Sequence, residues 1–141
     1  MKIHPYLLFD GNCREAFTTY AKLLGGTTIA MLPHAGSPAE NFVPAEWREK
    51  ILHAAIELPG GQLLMASDAP PGHYRKPQGF SVTVQTDTAA DAERLFKALS
   101  DGGTVTMPLG KTFWAERFGM LTDRFGTPWQ ISYQAAGQPP S

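Results

Sequence analysis

One helix pattern is written twice in this chain, over Asn12–Gly26 and over Thr88–Gly102, 76 positions apart. Each copy opens on a side chain suited to capping, Asn12 or Thr88, with an acidic residue three positions on, Glu15 or Asp91. Each continues as an apolar stripe at helical spacing: Ala16, Phe17, Tyr20, Leu23 and Leu24 in the first, Ala92, Leu95, Phe96 and Leu99 in the second. Each stops at a glycine pair, Gly25-Gly26 and Gly102-Gly103. Caps, stripes and stops in common register mark an internal repeat. Both halves must therefore bury a one-sided helix by the same means.

The means is a sheet. Short apolar or alternating runs read as strands at residues 3–9, with Pro5 near the start, and at 27–32, 51–58, 62–67, 80–86, 104–109, 118–122 and 129–133. Phe113-Trp114 reads as another short strand or a bend. The order is strand, helix, three strands, twice. Phe80, Val82 and Val84 form one face, and Leu52, Ala54, Ile56 and Leu58 another, against which the helix stripes can pack. The last hairpin turns through Asp123 to Pro128, and its second strand alternates Trp129, Ile131, Tyr133 with Gln130, Ser132. The last strand pairs match best at an offset of 66, which lays Gly60 on Gly126 and Leu64 on Gln130.

The faces away from the helices (His53 and Glu57; Ser81, Thr83 and Gln85; Gln130 and Ser132) are too polar for a second helix layer. A sheet that curves this side around a cavity explains them. The expected fold is α+β: tandem βαβββ modules forming a cupped mixed β-sheet with helices on the outside. The chain reads as a single domain over 1–141. Module 1 covers about 1–68 with an inserted loop at 33–49, a proline-rich linker covers 69–78, module 2 covers about 79–133, and 134–141 is a frayed tail. Within the inserted loop, Pro44-Ala-Glu-Trp-Arg suits one helical turn. A loop of this length serves as a lid or dimer contact, or is a plain connection.

Composition removes several function classes. Twelve basic and 13 acidic residues give no electrostatic footprint for nucleic acid or an anionic membrane. No apolar run is long enough to span a bilayer, and Met1-Lys-Ile-His-Pro has no leader character. Cys13 is the sole cysteine, so the expected compartment is the cytoplasm.

Several stretches resemble the PhnB-like branch of the vicinal oxygen chelate superfamily, which includes glyoxalase, bleomycin-resistance proteins and extradiol dioxygenases. They are Pro5–Ala16 (PYLLFDGNCREA) with Tyr20, His53–Leu58 (HAAIEL), Leu64–Asp68 (LMASD) and Phe118–Ile131 (FGMLTDRFGTPWQI). The resemblance covers roughly residues 3–133. It implies paired modules and a homodimer. In metal-dependent members of that superfamily the ligands come from the first and last strands of each module. Carried onto this sequence, those places hold Pro5 with His4 adjacent, Leu64 or a neighbour, Ser81 and Gln130. These are poor donors for a divalent ion, so no cofactor is expected. A divalent metal enters only through an alternative set of His4, His53 and Gln130. Members of the branch are also labelled as demethylubiquinone methyltransferases, but no glycine-rich strand–turn–helix is present to hold a nucleotide-like cofactor.

The residues expected to bind a small-molecule ligand are His53, Glu57, Ser81, Thr83, Gln85, Trp114, Gln130 and Ser132. They supply uncharged donors and acceptors, with Glu57 at the rim and Trp114 as a flat wall. His53 is the best catalytic candidate, as a base or a hydrogen-bonding group. A satisfied structural histidine is the plainer alternative. Cys13 reads as a buried, inert thiol. Two functions stay open: a metal-free binder acting by sequestration or sensing, and an enzyme using His53 or a non-standard metal site.

Overall fold

The structure is a computed structural model, and Met1–Gln138 are the residues it describes. The last three residues of the expected tail, 139–141, lie outside them. The chain divides into two compact units, Met1–Lys76 and Pro77 onward. Both are α+β with the same topology.

In the first unit β1 (Tyr6–Phe9) leads to α1 (Cys13–Leu24), then β2 (Thr27–Pro33), β3 (Ile51–Glu57) and β4 (Leu63–Asp68). The sheet order is β1-β4-β3-β2, with β1 parallel to β4 and the other pairs antiparallel. In the second unit β5 (Val82–Thr86), α2 (Ala89–Ser100), β6 (Thr104–Gly110), β7 (Arg117–Thr122) and β8 (Pro128–Tyr133) repeat that plan in the order β5-β8-β7-β6. Each helix packs on one face of its own sheet.

The helix stripes bury as their spacing predicts. Cys13, Ala16, Phe17 and Tyr20 are buried on α1, and Ala92, Leu95, Phe96 and Leu99 on α2. Leu7, Phe9, Leu64, Ala66, Ala54 and Ile56 receive α1, and Leu121, Trp129 and Ile131 lie buried in the second unit. Gly25 takes the left-handed conformation (φ 66°) that ends α1. Gly26 and Gly103 occupy equivalent places immediately before β2 and β6. A Cβ on Gly26 would run into Ile56 Cγ2, and one on Gly103 into the Thr122 carbonyl oxygen.

Several sequence expectations are corrected. Thr88 accepts from Asp91 N at 3.1 Å as a helix cap should, but the Asn12 side chain makes no such bond. Asp68, from the end of β4, holds the start of α1 at a different amide. Its Oδ1 accepts from Cys13 N (3.0 Å) and its Oδ2 from Ile51 N (2.8 Å). One carboxylate thus ties the start of α1 to the start of β3.

Phe80 lies before β5 and is 54% exposed, so it supplies no part of the helix-facing surface. The linker also begins later than its composition suggests. Ala69 is buried and donates to Phe9 O at 2.8 Å, and residues through Lys76 belong to the first unit. The tail's beginning is tied down, with Gln134 Nε2 donating to Trp114 O at 3.0 Å.

The inserted loop is strapped rather than loose. It forms two short 3₁₀ turns, Pro38–Phe42 and Ala45–Trp47. Lys50 Nζ donates to Gly11 O at 2.9 Å, and buried His34 holds Lys50 O through Nδ1 at 2.8 Å. The loop therefore packs against the β1–α1 turn.

The strand registers fix the repeat more finely than sequence matching does. Leu7 pairs with Ala66 and Val84 with Ile131, while Ala54 pairs with Ala66 and Gly119 with Ile131. The last two strands of the units thus superimpose at an offset of 65, not 66. Leu64 falls on Trp129, and Met65 falls on Gln130. A one-residue slip moves every side chain to the other face, so this correction decides which residues share the open side.

Candidate functional site

The side of each sheet away from its helix carries the candidate site residues. On the first sheet this face presents Tyr6 and Leu8 from β1, Met65 and Ser67 from β4, and His53 and Ala55 from β3. On the second it presents Thr83 and Gln85 from β5, Gln130 and Ser132 from β8, and Phe118 and Met120 from β7.

Each face holds a hydrogen-bonded pair of side chains. Thr83 and Gln130 are register partners, and Thr83 Oγ1 donates to Gln130 Oε1 at 3.3 Å. On the first sheet the phenol of Tyr6 reaches over β4 to His53, with Oη and Nδ1 3.1 Å apart and the rings stacked at 5.8 Å and 20°. Sequence reasoning missed Tyr6. It stands 47 positions from His53, and no local pattern links the two.

Ser132 is fully buried, and its hydroxyl finds no partner among the described residues. Its register partner Phe118 meets the Trp114 ring edge-on at 5.2 Å, and Phe113 meets the other side of Trp114 at 4.8 Å. The 113–114 segment is a bend, not a strand. Its turn is fixed by Ala115 N donating to Thr112 Oγ1 at 3.0 Å. Trp114 therefore packs on Phe118, a residue of the open face of the second sheet. Trp129 is buried with its indole Nε1 donating to Asp123 Oδ2 at 2.8 Å. Ser81 precedes β5, and Gln85 is exposed beside Ser132 on the neighbouring strand.

His53 and Glu57 share a face of β3, four residues or ~13 Å apart. Glu57 is exposed at the strand end. His4 is held at that same end: its Nδ1 accepts from Leu63 N at 3.4 Å, and Leu63 lies opposite Glu57. His4 and His53 thus sit at opposite ends of the first sheet.

The donor chemistry does not fit a divalent metal at the strand positions the superfamily uses. The corrected register makes Tyr6 and Met65 in one unit the counterparts of Thr83 and Gln130 in the other. A thioether, a phenol, an alcohol and an amide are weak ligands for a hard or borderline cation. Among the described residues no three His, Cys, Asp or Glu side chains gather to hold an ion. The β1–α1 turn does not fit a nucleotide-like cofactor either. Gly11 is its one glycine, and a Cβ there would lie 3.3 Å from Trp47 Cη2.

Cys13, at the start of α1, is fully buried. Burial first, and the Asp68 carboxylate second, push its thiol up to about 12, against an opposing effect of Arg14. It is no nucleophile at neutral pH. A separate hollow of about 640 Å³ at the end of α2 is lined by Arg94, Lys97, Ala98, Ser100, Asp101 and Gly102. It contains none of the residues above. No helix among the described residues is long and apolar enough to cross a membrane.

Comparison with known proteins agrees with this architecture. Protein PA1353 from Pseudomonas aeruginosa, whose crystal structure is known, is 51% identical, with 95% of this chain and 98% of that one covered at a TM-score of 0.86. The PhnB protein from Bacillus cereus is 25% identical, with 94% and 99% covered and a TM-score of 0.80. A glyoxylase/bleomycin resistance/dioxygenase domain from Frankia sp. EAN1pec, 14% identical with 96% and 98% covered and a TM-score of 0.64, shares the fold alone. The family described as 3-demethylubiquinone-9 3-methyltransferase matches residues 1–132. This chain belongs to that family, and PhnB-type proteins share its fold over nearly their whole length.

Proposed function

We propose that this protein binds a small, largely uncharged molecule on the open faces of its sheets and acts by sequestration or sensing, without a metal. The observation that carries this reading is the pairing of side chains on those faces. Thr83–Gln130 and Tyr6–His53 are each joined by a hydrogen bond on faces that mix uncharged polar and apolar side chains. Preformed donors and acceptors on an apolar ground orient a ligand at low entropic cost. On the first sheet the ligand contacts are His53, with Glu57 at the margin; on the second, taken by itself, they are Thr83, Gln85, Gln130, Ser132 and the Trp114 ring.

The chain works in the cytoplasm as a homodimer. Support for the second copy lies in the edge strands, where Ile29 and Leu32 on β2 and Val105 and Met107 on β6 stand exposed.

The methyl transfer in the family's description needs a methyl donor held by the protein. The filled β1–α1 turn argues against one, so binding is the better reading.

The test combines elemental analysis of protein purified without chelator or metal-affinity steps with a thermal-shift screen of neutral small molecules. A ligand at about 100 times its dissociation constant adds ~2.7 kcal/mol. Gln130→Ala should abolish the shift of a ligand held on the second sheet, and His53→Ala that of a ligand held on the first. About one metal per chain, lost in His53→Ala, would overturn the metal-free reading.

A further inference from the structure

His53 has one hydrogen bond among the described residues, the one from its Nδ1 to the Tyr6 hydroxyl. Its Nε2 therefore has no protein partner there. The chemistry of the pair decides which way the proton lies. A phenol is a good donor and a weak acceptor, whereas the bare nitrogen of a neutral imidazole is a strong acceptor. The pair therefore settles with Tyr6 Oη–H donating to Nδ1, which leaves the ring proton on Nε2. Ring stacking at 20° adds an orientational hold. Tyr6 is 46% exposed, so the pair is open to a visiting molecule.

We propose that Tyr6 is a positioning residue. It holds neutral His53 as an Nε2–H donor, and that donor recognises a carbonyl oxygen on an otherwise apolar small molecule. The inference rests on the binding reading above and names the ligand class for the first sheet. The class follows from the surroundings. Leu8, Met65 and Leu32 flank the pair on the same face, with Ser67 opposite Leu8, so the body of the ligand is largely apolar and its anchor a neutral acceptor. The assignment also makes His53 a poor general base: one nitrogen is occupied by Tyr6 and the other carries the proton.

The test is long-range ¹H–¹⁵N correlation spectroscopy of the full chain, above the usual histidine pKa of ~6.5. His53 should show the Nε2–H pattern in the wild type and a mixture of tautomers in Tyr6→Phe, with the rest of the spectrum preserved. Acetophenone should move the His53 Nε2 signal and ethylbenzene should not. Acetophenone should also bind about tenfold more weakly to Tyr6→Phe, the worth of one ordered hydrogen bond.

An Nδ1–H pattern in the wild type, or an unchanged pattern in Tyr6→Phe, would overturn the positioning role. The expected tautomer change with both probes touching the first sheet equally would overturn the carbonyl assignment alone. If the tautomer changes as expected but neither probe touches either sheet, the binding reading fails while the role of Tyr6 stands.

Discussion

The two units share a scaffold and differ in what locks it and in what it displays. In the first, Asp68 at the end of β4 accepts from Cys13 N and Ile51 N, joining helix to sheet. In the second, the buried carboxylate is Asp123 in the β7–β8 turn. It accepts from Phe125 N and Thr127 N at 2.9 Å each and from Trp129 Nε1 at 2.8 Å. The two positions are not equivalent in the repeat: an offset of 65 sends Asp68 to Tyr133. The open faces diverge in the same way, with phenol and imidazole on one and alcohol and amide on the other. The repeat constrains backbone and core, because every module must bury its helix. It leaves free the residues that neither pack on the helix nor set the register.

The sharpest way to break the comparison is to remove the locks. Asp123→Ala strands three donors, two of them backbone amides, and should cost about 3–5 kcal/mol in denaturant unfolding. Asp68→Ala strands two and should cost about 2–4 kcal/mol. Hydrogen exchange should place the loss in the first unit for Asp68→Ala and in the second for Asp123→Ala. Equal loosening of both units by either change would show that the locks are not local.

The equivalent glycines give the next largest effect. Gly103→Ala presses on backbone, the Thr122 carbonyl and Asp123 Cα, which cannot step aside. It should cost about 2–3 kcal/mol. Gly26→Ala presses mainly on the Ile56 and Leu58 side chains, with the Glu57 carbonyl oxygen at 3.2 Å, and should cost about 1–2 kcal/mol because only its lesser contact is with backbone. The reverse order in thermal melts would mean that the second unit yields more easily than its contacts imply.

Cys13 separates the units by pH. Its thiol is raised from 9.0 to about 12 in the folded chain, so the folded state holds a proton that the unfolded chain releases above pH 9. This contribution is complete below pH 9 and is lost as pH rises towards about 12. Its helix equivalent is Ala89, which does not titrate. Cys13→Ala should flatten that part of the stability profile, and an unaltered profile would count against the raised thiol.

The smallest effect should come from Ser132. Its buried hydroxyl has no partner among the described residues, so Ser132→Ala should leave stability unchanged or raise it by up to ~1 kcal/mol. The equivalent Ser67→Ala, at a half-exposed site, should stay within ~0.5 kcal/mol. A clear loss in Ser132→Ala would show that the hydroxyl holds a water or ligand.

Much of this molecule was legible before any coordinates. Both helix stripes, the Thr88 cap, the glycine stops and the alternation that puts Trp129 and Ile131 in the core and Gln130 on the open face are local patterns. They follow from helix and strand periods that each residue obeys with its near neighbours. The Asn12 cap failed because the start of α1 is held instead by Asp68, 55 residues from the Cys13 amide it reaches. The offset of 66 failed because residue matching cannot weigh hydrogen-bond register, and a single step exchanged Leu64 for Met65 on the open face.

The sequence by itself thus determined two βαβββ modules, their buried faces and the weak donors at the metal positions, because those depend on residue type and short-range period. Only the tertiary structure decided which strands lie side by side, and so which distant side chains meet. Tyr6 found His53, Asp68 found Cys13 and Ile51, and Trp114 found Phe118 through pairings that cost chain entropy and are settled by the packing of a whole unit.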